Sequence, residues 1–249
     1  AAAIVCVVAL LAGALFFRNK TSDTTAAWLL FCAALTLLWI GWLRSNYVSG
    51  VDIAVEYHLF EQTLNAGRWS IEIYRDSYNA CMSITILPTL LTALTGLPPE
   101  TIFKMVIPTV FALVPVATFL FLRRYVATSY ALLGGIFVLS QHAFLLWWTI
   151  PIKQEVGLFL FGTLLLIISD RDLNNRTRFV SVLVIGLGLV VAHYTTTYVA
   201  LTLLVGAGVL SLLYALITKT KSGRKIFSAL RIYTPMQQAR ASIRSVSYT

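Results

Sequence analysis

Charge is scarce in this chain, and negative charge most of all. Its 249 residues include 10 Asp+Glu and 19 Lys+Arg, so that 12% are charged, whereas 58% are hydrophobic. Soluble domains carry about 25% charged residues, which excludes an ordinary water-soluble fold. The alternating segments of about ten residues that mark a membrane β-barrel are absent as well. The composition therefore predicts an all-α polytopic membrane protein.

Cysteine is rare too, and nucleotide-binding motifs are missing. The three cysteines (Cys6, Cys32 and Cys81) are odd in number and have no C-x-x-C spacing. We therefore expect them to be small apolar side chains rather than a disulfide framework. No G-x-x-x-x-G-K-[ST], G-x-G-x-x-G or H-E-x-x-H motif occurs, which argues against ATP-driven transport by this chain. The basic residues lack the motifs of nucleic-acid binders, so we expect no nucleic-acid partner.

Long apolar runs fill most of the chain and predict a bundle of about seven transmembrane spans. A run of roughly 18 apolar residues can cross the hydrocarbon layer. Ser83–Leu94 is shorter and contains Pro88, so we expect a half-embedded helix there, and the polar residues of His193–Tyr198 divide the last long run in two. The predicted spans are Ala1–Phe17, Ala26–Trp42, Ile102–Leu122, Tyr130–Trp147, Glu155–Ser169 and two within Phe179–Ile217.

The basic residues predict the orientation of this bundle. If Ser83–Leu94 does not cross, 14 of the 19 basic residues fall on one side, which the positive-inside rule identifies as cytoplasmic. Residues 1–218 then form one transmembrane module of the plasma membrane with an extracytoplasmic loop over 44–100. Residues 219–249 are a basic cytoplasmic tail or the start of a further C-terminal region. Because the chain begins inside an apolar run without Met, we expect a removed leader or a fragment.

The outer loop concentrates the carboxylates. Half of the acidic residues lie between positions 44 and 80, namely Asp52, Glu56, Glu61, Glu72 and Asp76. Within it, Asp52–Ala66 is predicted to be a helix, with Asp52 as N-cap and Gly67 after the last turn. Its apolar stripe predicts a helix lying flat at the membrane surface. That stripe consists of Val55, Leu59, Phe60 and Leu64.

Asp52 and Glu56 are the first candidates for catalysis. Four residues apart on a helix, they share a face and can converge on Mg²⁺ or Mn²⁺, or act on a proton as a general base. The alternative is that Asp52 caps the helix and Glu56 is solvated.

Later polar residues form a second group of candidates. Lys153 and Glu155 open a predicted span, where they suit a phosphate and a metal ion, or else a snorkelling lysine and an acid at a helix N-terminus. His193 and Tyr194 can line a site or serve only in helix packing. Arg68, followed by aromatic residues, suits a phosphate or a sugar ring, or an interfacial belt.

The order of these parts resembles the GT-C superfamily of membrane glycosyltransferases, which use polyprenyl-phosphate-linked sugars. The resemblance rests on Gly50-Val51-Asp52-Ile53-Ala54-Val55-Glu56-Tyr57, Leu87-Pro88-Thr89-Leu90 with Gly96-Leu97, and Phe121-Leu122-Arg123-Arg124. Positions 49–69, 151–155 and 192–198 are similar to an uncharacterised archaeal family of large membrane proteins. The chain departs from GT-C enzymes in its fewer spans, in its two spans before the loop, and in Lys153, where many relatives carry Arg.

The resemblance implies a sugar transfer from a polyprenyl-phosphate donor to an unknown glycan or protein acceptor on the outer face. It implies that Asp52 is the catalytic acid of the first outer loop, supported by Glu56, and that Glu155 shares a metal ion with it. We further expect Arg68, Lys153, His193 and Tyr194 to bind substrate. The alternative is a transporter or lipid-handling protein in which His193 and Glu155 form an intramembrane relay; a purely structural subunit is a third possibility.

Overall fold

The computed structural model describes residues 2–16, 21–43, 45–141, 144 and 151–219. The regular elements among them are all helical, so the all-α prediction is confirmed for this part of the chain. The basic tail predicted beyond Lys219 lies outside the described residues. The helices are α1 (Ala2–Phe16), α2 (Asp23–Trp42), α3 (Val51–Ala66), α4 (Ile86–Thr95), α5 (Pro99–Arg123), α6 (Thr128–Leu139), α7 (Ile152–Ser169), α8 (Asn175–Ala192) and α9 (Tyr194–Lys219).

Five of the described helices are long and apolar enough to cross a membrane. These segments are Asp23–Gly41, Pro99–Arg123, Ile152–Ser169, Asn175–Ala192 and Tyr194–Tyr214. The expected division of the last apolar run is confirmed, because α8 ends at Ala192 and α9 begins at Tyr194. The remaining two predicted spans correspond to shorter helices, α1 with 15 residues and α6 with 12, so the count of seven stays a prediction.

Two prolines interrupt α5. Proline has no N–H to donate and crowds the carbonyl four residues earlier, so a regular helix cannot continue through it. A π-helical segment at Ile102–Val106 precedes Pro108, and a break follows Phe111, four residues before Pro115. The predicted span Ile102–Leu122 is therefore a series of short helical segments.

The outer-loop helix α3 buries most of the expected apolar stripe, together with Glu56 and without Val55. It begins at Val51, with Gly50 before it at φ 147°, so Asp52 lies in the first turn and the N-cap prediction is wrong. The buried side chains are Ile53, Glu56, Leu59, Phe60 and Thr63, whereas Val55 is exposed. The predicted end is confirmed, because Gly67 adopts a left-handed conformation with φ 62°, which glycine enters without steric cost.

The chain divides into two compact units, Ala1–Thr197 and Tyr198–Thr249. In the first unit, one apolar cluster joins α1, α2, α5 and α6, where Phe111 and Phe144 stack at 4.6 Å. A second cluster lies against α3, where the rings of Phe60 and Phe103 are 5.1 Å apart and Ile152 is fully buried. In the second unit, the structure describes the part of α9 that runs from Tyr198 to Lys219. The second cluster positions the candidate site.

Candidate functional site

Glu56 is the centre of a buried charge cluster, the name used here for Glu56, Lys153, Glu155 and His193. Its side chain lies on the inner face of α3 and is fully buried. Lys153 Nζ donates to one carboxylate oxygen at 2.7 Å, and the Ile152 N–H donates to the other at 2.6 Å. Because Ile152 and Lys153 open α7, these two bonds fasten the outer-loop helix to the start of that span.

Lys153 has a second partner on its other side. Its ammonium lies 3.3 Å from the ring centroid of Tyr78, and the residue is 3% exposed. A cation over an aromatic face is attracted by the ring quadrupole, most strongly where water is excluded. Tyr78 belongs to the short 3₁₀ helix Ser77–Ala80, and its N–H donates to the side chain of the N-cap residue Asp76. The lysine is therefore enclosed between a carboxylate and a ring.

Burial controls the charge of Glu56. Desolvation raises the pKa of Glu56 from its ordinary 4.5 to about 7, although the positive charge of Lys153 and the donated hydrogen bonds oppose the rise. Burial likewise raises the pKa of the neighbouring Cys81 thiol. The cluster therefore contains a carboxyl group that changes charge close to neutral pH.

Glu155 is the unsatisfied member of the cluster. It is 1% exposed, and neither carboxylate oxygen has a hydrogen-bond partner within the described residues. Glu155 belongs to the first turn of α7, where the partial positive charge of the helix N-terminus favours an acid. Burying a carboxyl group without partners is costly, and such groups in native proteins call for a functional or structural reason.

His193 closes the cluster where α8 ends. Its Nδ1 lies 2.6 Å from Thr196 Oγ1, and its backbone is extended between two helices. Gly157 of α7 permits this approach, because a Cβ on it would lie 3.0 Å from both His193 Cβ and Thr196 Oγ1. The polar interruption seen in the sequence is thus a helix junction packed against α7.

The segment before α4 ties this junction to the outer loop. The Met82 N–H donates to the Val191 carbonyl at 2.8 Å, and Ser83 Oγ donates to the Ala192 carbonyl at 2.6 Å. Sequence reasoning missed Ser83 and Gly157, since a serine and a glycine in apolar surroundings carry no pattern of their own. Tyr78 was noticed only as one of several aromatic residues.

The structure brings four of the predicted site residues together in the buried charge cluster and leaves the other three exposed. Asp52 is exposed in the first turn of α3, whereas Glu56, one turn later, is fully buried, so the two carboxylates lie in different environments and their expected convergence stays a prediction. Arg68 is exposed beyond the other end of α3, about 24 Å from Asp52 at 1.5 Å per residue. Tyr194 is 41% exposed, with its ring 5.5 Å from that of His193.

A divalent metal was predicted to join Asp52 and Glu155. The two carboxylates differ in environment, since Asp52 is exposed and Glu155 is enclosed. Across residues 2–16, 21–43, 45–141, 144 and 151–219, no three His, Cys, Asp or Glu side chains are grouped to hold a metal ion. Neither observation tests the shared Mg²⁺ or Mn²⁺, so that ion stays a prediction and no chemical step below uses it.

Comparisons with protein-family models, with curated proteins and with solved structures found no match to this chain. The assignment of function therefore rests on the residues and their geometry.

Proposed function

We propose that this protein is a GT-C-like glycosyltransferase that moves a sugar from a polyprenyl-phosphate donor to a glycan or protein acceptor at the outer membrane face. One observation carries the proposal. Asp52 stands in an exposed turn at the start of α3, while Glu56 on the buried face fixes that helix to α7. A free carboxylate on a rigidly fastened outer-loop helix suits a general base for an acceptor hydroxyl.

The reaction assigned to Asp52 is a displacement at the anomeric carbon. The acceptor oxygen forms a bond to that carbon while Asp52 takes the hydroxyl proton. The bond between the anomeric carbon and the phosphate oxygen breaks, and polyprenyl phosphate leaves with the electron pair. Basic groups near the departing phosphate stabilise its charge. Arg68 is the exposed candidate for this role, and because the length of α3 separates it from Asp52, the role requires the loop to move when the donor binds.

In this proposal Glu56 and Lys153 are positioning residues. Each is enclosed and bonded to the other, so they set the position of α3 and do not touch the sugar. His193 and Tyr194 extend the same assembly, with Tyr194 offering an exposed ring to the substrate.

The proposed topology has seven spans, with α3 on the extracytoplasmic side of the plasma membrane. Helices α5 and α7 run in parallel, since Phe103 and Ile152 near their starts belong to one apolar cluster and Arg124 and Asp170 at their ends form an ion pair at 3.0 Å. The chain that links the end of α5 to the start of α7 must therefore cover the length of α7 in the opposite direction. That length is about 27 Å, comparable to the hydrocarbon thickness. This return supports a crossing by the part of the chain that contains α6.

The test is a transfer assay on the full chain in lipid nanodiscs. The donor is a radiolabelled polyprenyl-phosphate hexose, and the acceptors are a pool of cell-envelope glycans and proteins. We expect Asp52→Asn to lower transfer at least about 100-fold, the usual contribution of a general base. Glu72→Gln, which removes another exposed acid of the same loop, should leave transfer unchanged. Full activity in the Asp52 variant would exclude this mechanism.

A second candidate, proton-coupled transport, is favoured by Glu155. An enclosed carboxyl group without partners at the end of a span, next to an ion pair and a histidine, is typical of a site that takes up and releases a proton. Glu155 and His193 would then act as the relay of a carrier.

Proteoliposomes containing a pH-sensitive dye separate the two functions. For a proton carrier, an imposed pH gradient should dissipate faster with the wild-type protein than in empty vesicles, and Glu155→Gln should abolish the difference. Glu72→Gln is the matched control. Equal dissipation in wild-type and empty vesicles would eliminate the proton-carrier function and leave the transferase proposal unaffected.

A further inference from the structure

A polar cleft lies at the opposite end of α7 from the buried charge cluster. Its volume is about 280 Å³, and its lining residues are Arg124, Tyr125, Ser169, Asp170, Arg171 and Asp172. It is formed where two candidate spans, Pro99–Arg123 and Ile152–Ser169, end side by side. Its size is at the lower limit for small-molecule sites and suits a single polar group.

Arg124 builds the inner wall of this cleft. Its Nη1 donates to the Leu166 carbonyl at 2.6 Å and to Ser169 Oγ at 2.7 Å, and its Nη2 donates to Asp170 Oδ2 at 3.0 Å. The planar guanidinium therefore holds the last turn of α7 in place and caps carbonyls that a helix end leaves unpaired. Hydrogen bonds within the protein therefore fix the position of this wall without a ligand.

Asp170 neutralises Arg124 and is itself satisfied. The Asp172 N–H donates to its other oxygen at 2.9 Å, and this bond together with Arg124 lowers the pKa of Asp170. The pair Arg124–Asp170 thus contributes no net charge to the cleft. The charge available to a ligand must come from the remaining lining residues.

Those residues offer one charge of each sign. Arg171 and the carboxylate of Asp172 are exposed, and neither side chain makes an ion pair with another described residue. Tyr125 is 45% exposed and adds a hydroxyl group at the rim. A guanidinium and a phenol suit phosphate oxygens, while a carboxylate suits an ammonium group.

We propose that this cleft binds the headgroup of a phospholipid that carries both a phosphate and a primary amine. Arg171 and Tyr125 bind the phosphate, and Asp172 accepts hydrogen bonds from the ammonium. The ends of two apolar helices bring the cleft to the depth at which headgroups lie. A trimethylated ammonium has no N–H to donate, so the carboxylate distinguishes an amine headgroup from a choline headgroup.

Native mass spectrometry of the full chain tests the assignment. The protein is released from micelles that contain equal amounts of phosphatidylethanolamine, phosphatidylcholine and phosphatidylglycerol with identical acyl chains. We expect retention of the ethanolamine lipid to exceed that of the choline lipid about fivefold, the scale of one partly exposed charged contact. Asp172→Asn should equalise the two lipids, and Arg171→Gln should lower retention of all three about fivefold.

Arg176→Gln is the matched control, because Arg176 is exposed at the same end of the bundle but does not line the cleft. Equal retention of the ethanolamine and choline lipids by the wild-type protein would overturn the proposal, as would equal behaviour of the Arg171 and Arg176 variants. Soluble phosphoethanolamine in excess tests whether the headgroup contacts select the lipid. Because it copies the headgroup, it should compete at the cleft and equalise retention of the ethanolamine and choline lipids. A preference for the ethanolamine lipid that is unchanged in its presence would overturn the proposal.

Discussion

Two opposing effects act on the carboxylate of Glu56. Lys153 and the Ile152 N–H stabilise its charge through bonds of 2.7 and 2.6 Å, while enclosure removes the water that would otherwise solvate it. Buried ion pairs often gain less from attraction than they lose by desolvation. The rise of the Glu56 pKa to about 7 indicates that desolvation is the larger effect here.

This balance predicts how stability depends on pH. A carboxyl group whose pKa is raised by folding binds its proton more tightly in the folded state. The contribution of Glu56 to the free energy of unfolding is therefore fully present below pH 4.5 and is lost as pH rises through about 7. We expect the Glu56 contribution to the free energy of unfolding to fall by about 3 kcal/mol across this window. SDS titrations in mild-detergent micelles at a series of pH values measure the change.

The double variant Glu56→Leu/Lys153→Met is the control for this prediction. It replaces both charges by apolar groups of similar volume, so we expect it to lose the pH dependence assigned to Glu56 and to be at least as stable as wild type at about pH 8. Lys153→Met alone leaves an enclosed carboxylate without its cation and should cost about 3 kcal/mol. A double variant with the slope of wild type would refute the role assigned to Glu56.

At the scale of helices, the sequence predicted boundaries better than faces. Gly67 and the polar residues after Ala192 were correctly identified as helix ends, because glycine and clustered polar residues interrupt a helix by local physics. The inward direction of Glu56 was not predicted, since a carboxylate within an apolar stripe is normally expected to face water. What makes its burial possible is Lys153, 97 residues away in the chain, and no local pattern links the two.

For the site, the sequence predicted individual residues but not their assembly. Glu155, Lys153 and His193 stood out because ionisable residues are rare in apolar segments, and three of the four residues in the buried cluster come from two such segments. Their assembly with Glu56 depends on how α3 packs against α5 and α7, which only tertiary structure reveals. The pairing expected from spacing alone, Asp52 with Glu56, stays a prediction, because a separation of four residues on a half-buried helix gives the two carboxylates unequal burial here.

At the scale of the whole molecule, the decisive feature is that two long helices run in the same direction. The Arg124–Asp170 pair at one end and the Phe103–Ile152 cluster at the other place α5 and α7 in parallel. Because α5 and α7 are parallel, the chain segment that joins the end of α5 to the start of α7 must cover their length in the opposite direction. In a membrane, such a segment must satisfy its backbone hydrogen bonds internally, which favours a helix.

The parallel arrangement predicts that the two ends of α6 lie on opposite sides of the membrane. In a background of Cys6→Ala, Cys32→Ala and Cys81→Ala, we expect a membrane-impermeant maleimide on intact cells to label Gln141→Cys but not Val126→Cys, both exposed positions. Glu72→Cys and Arg176→Cys are the outer and inner references, and the inner positions should react after permeabilisation. Labelling of positions 126 and 141 from the same side would mean that α6 does not cross, and the orientation assigned to α7 would then have to be reversed.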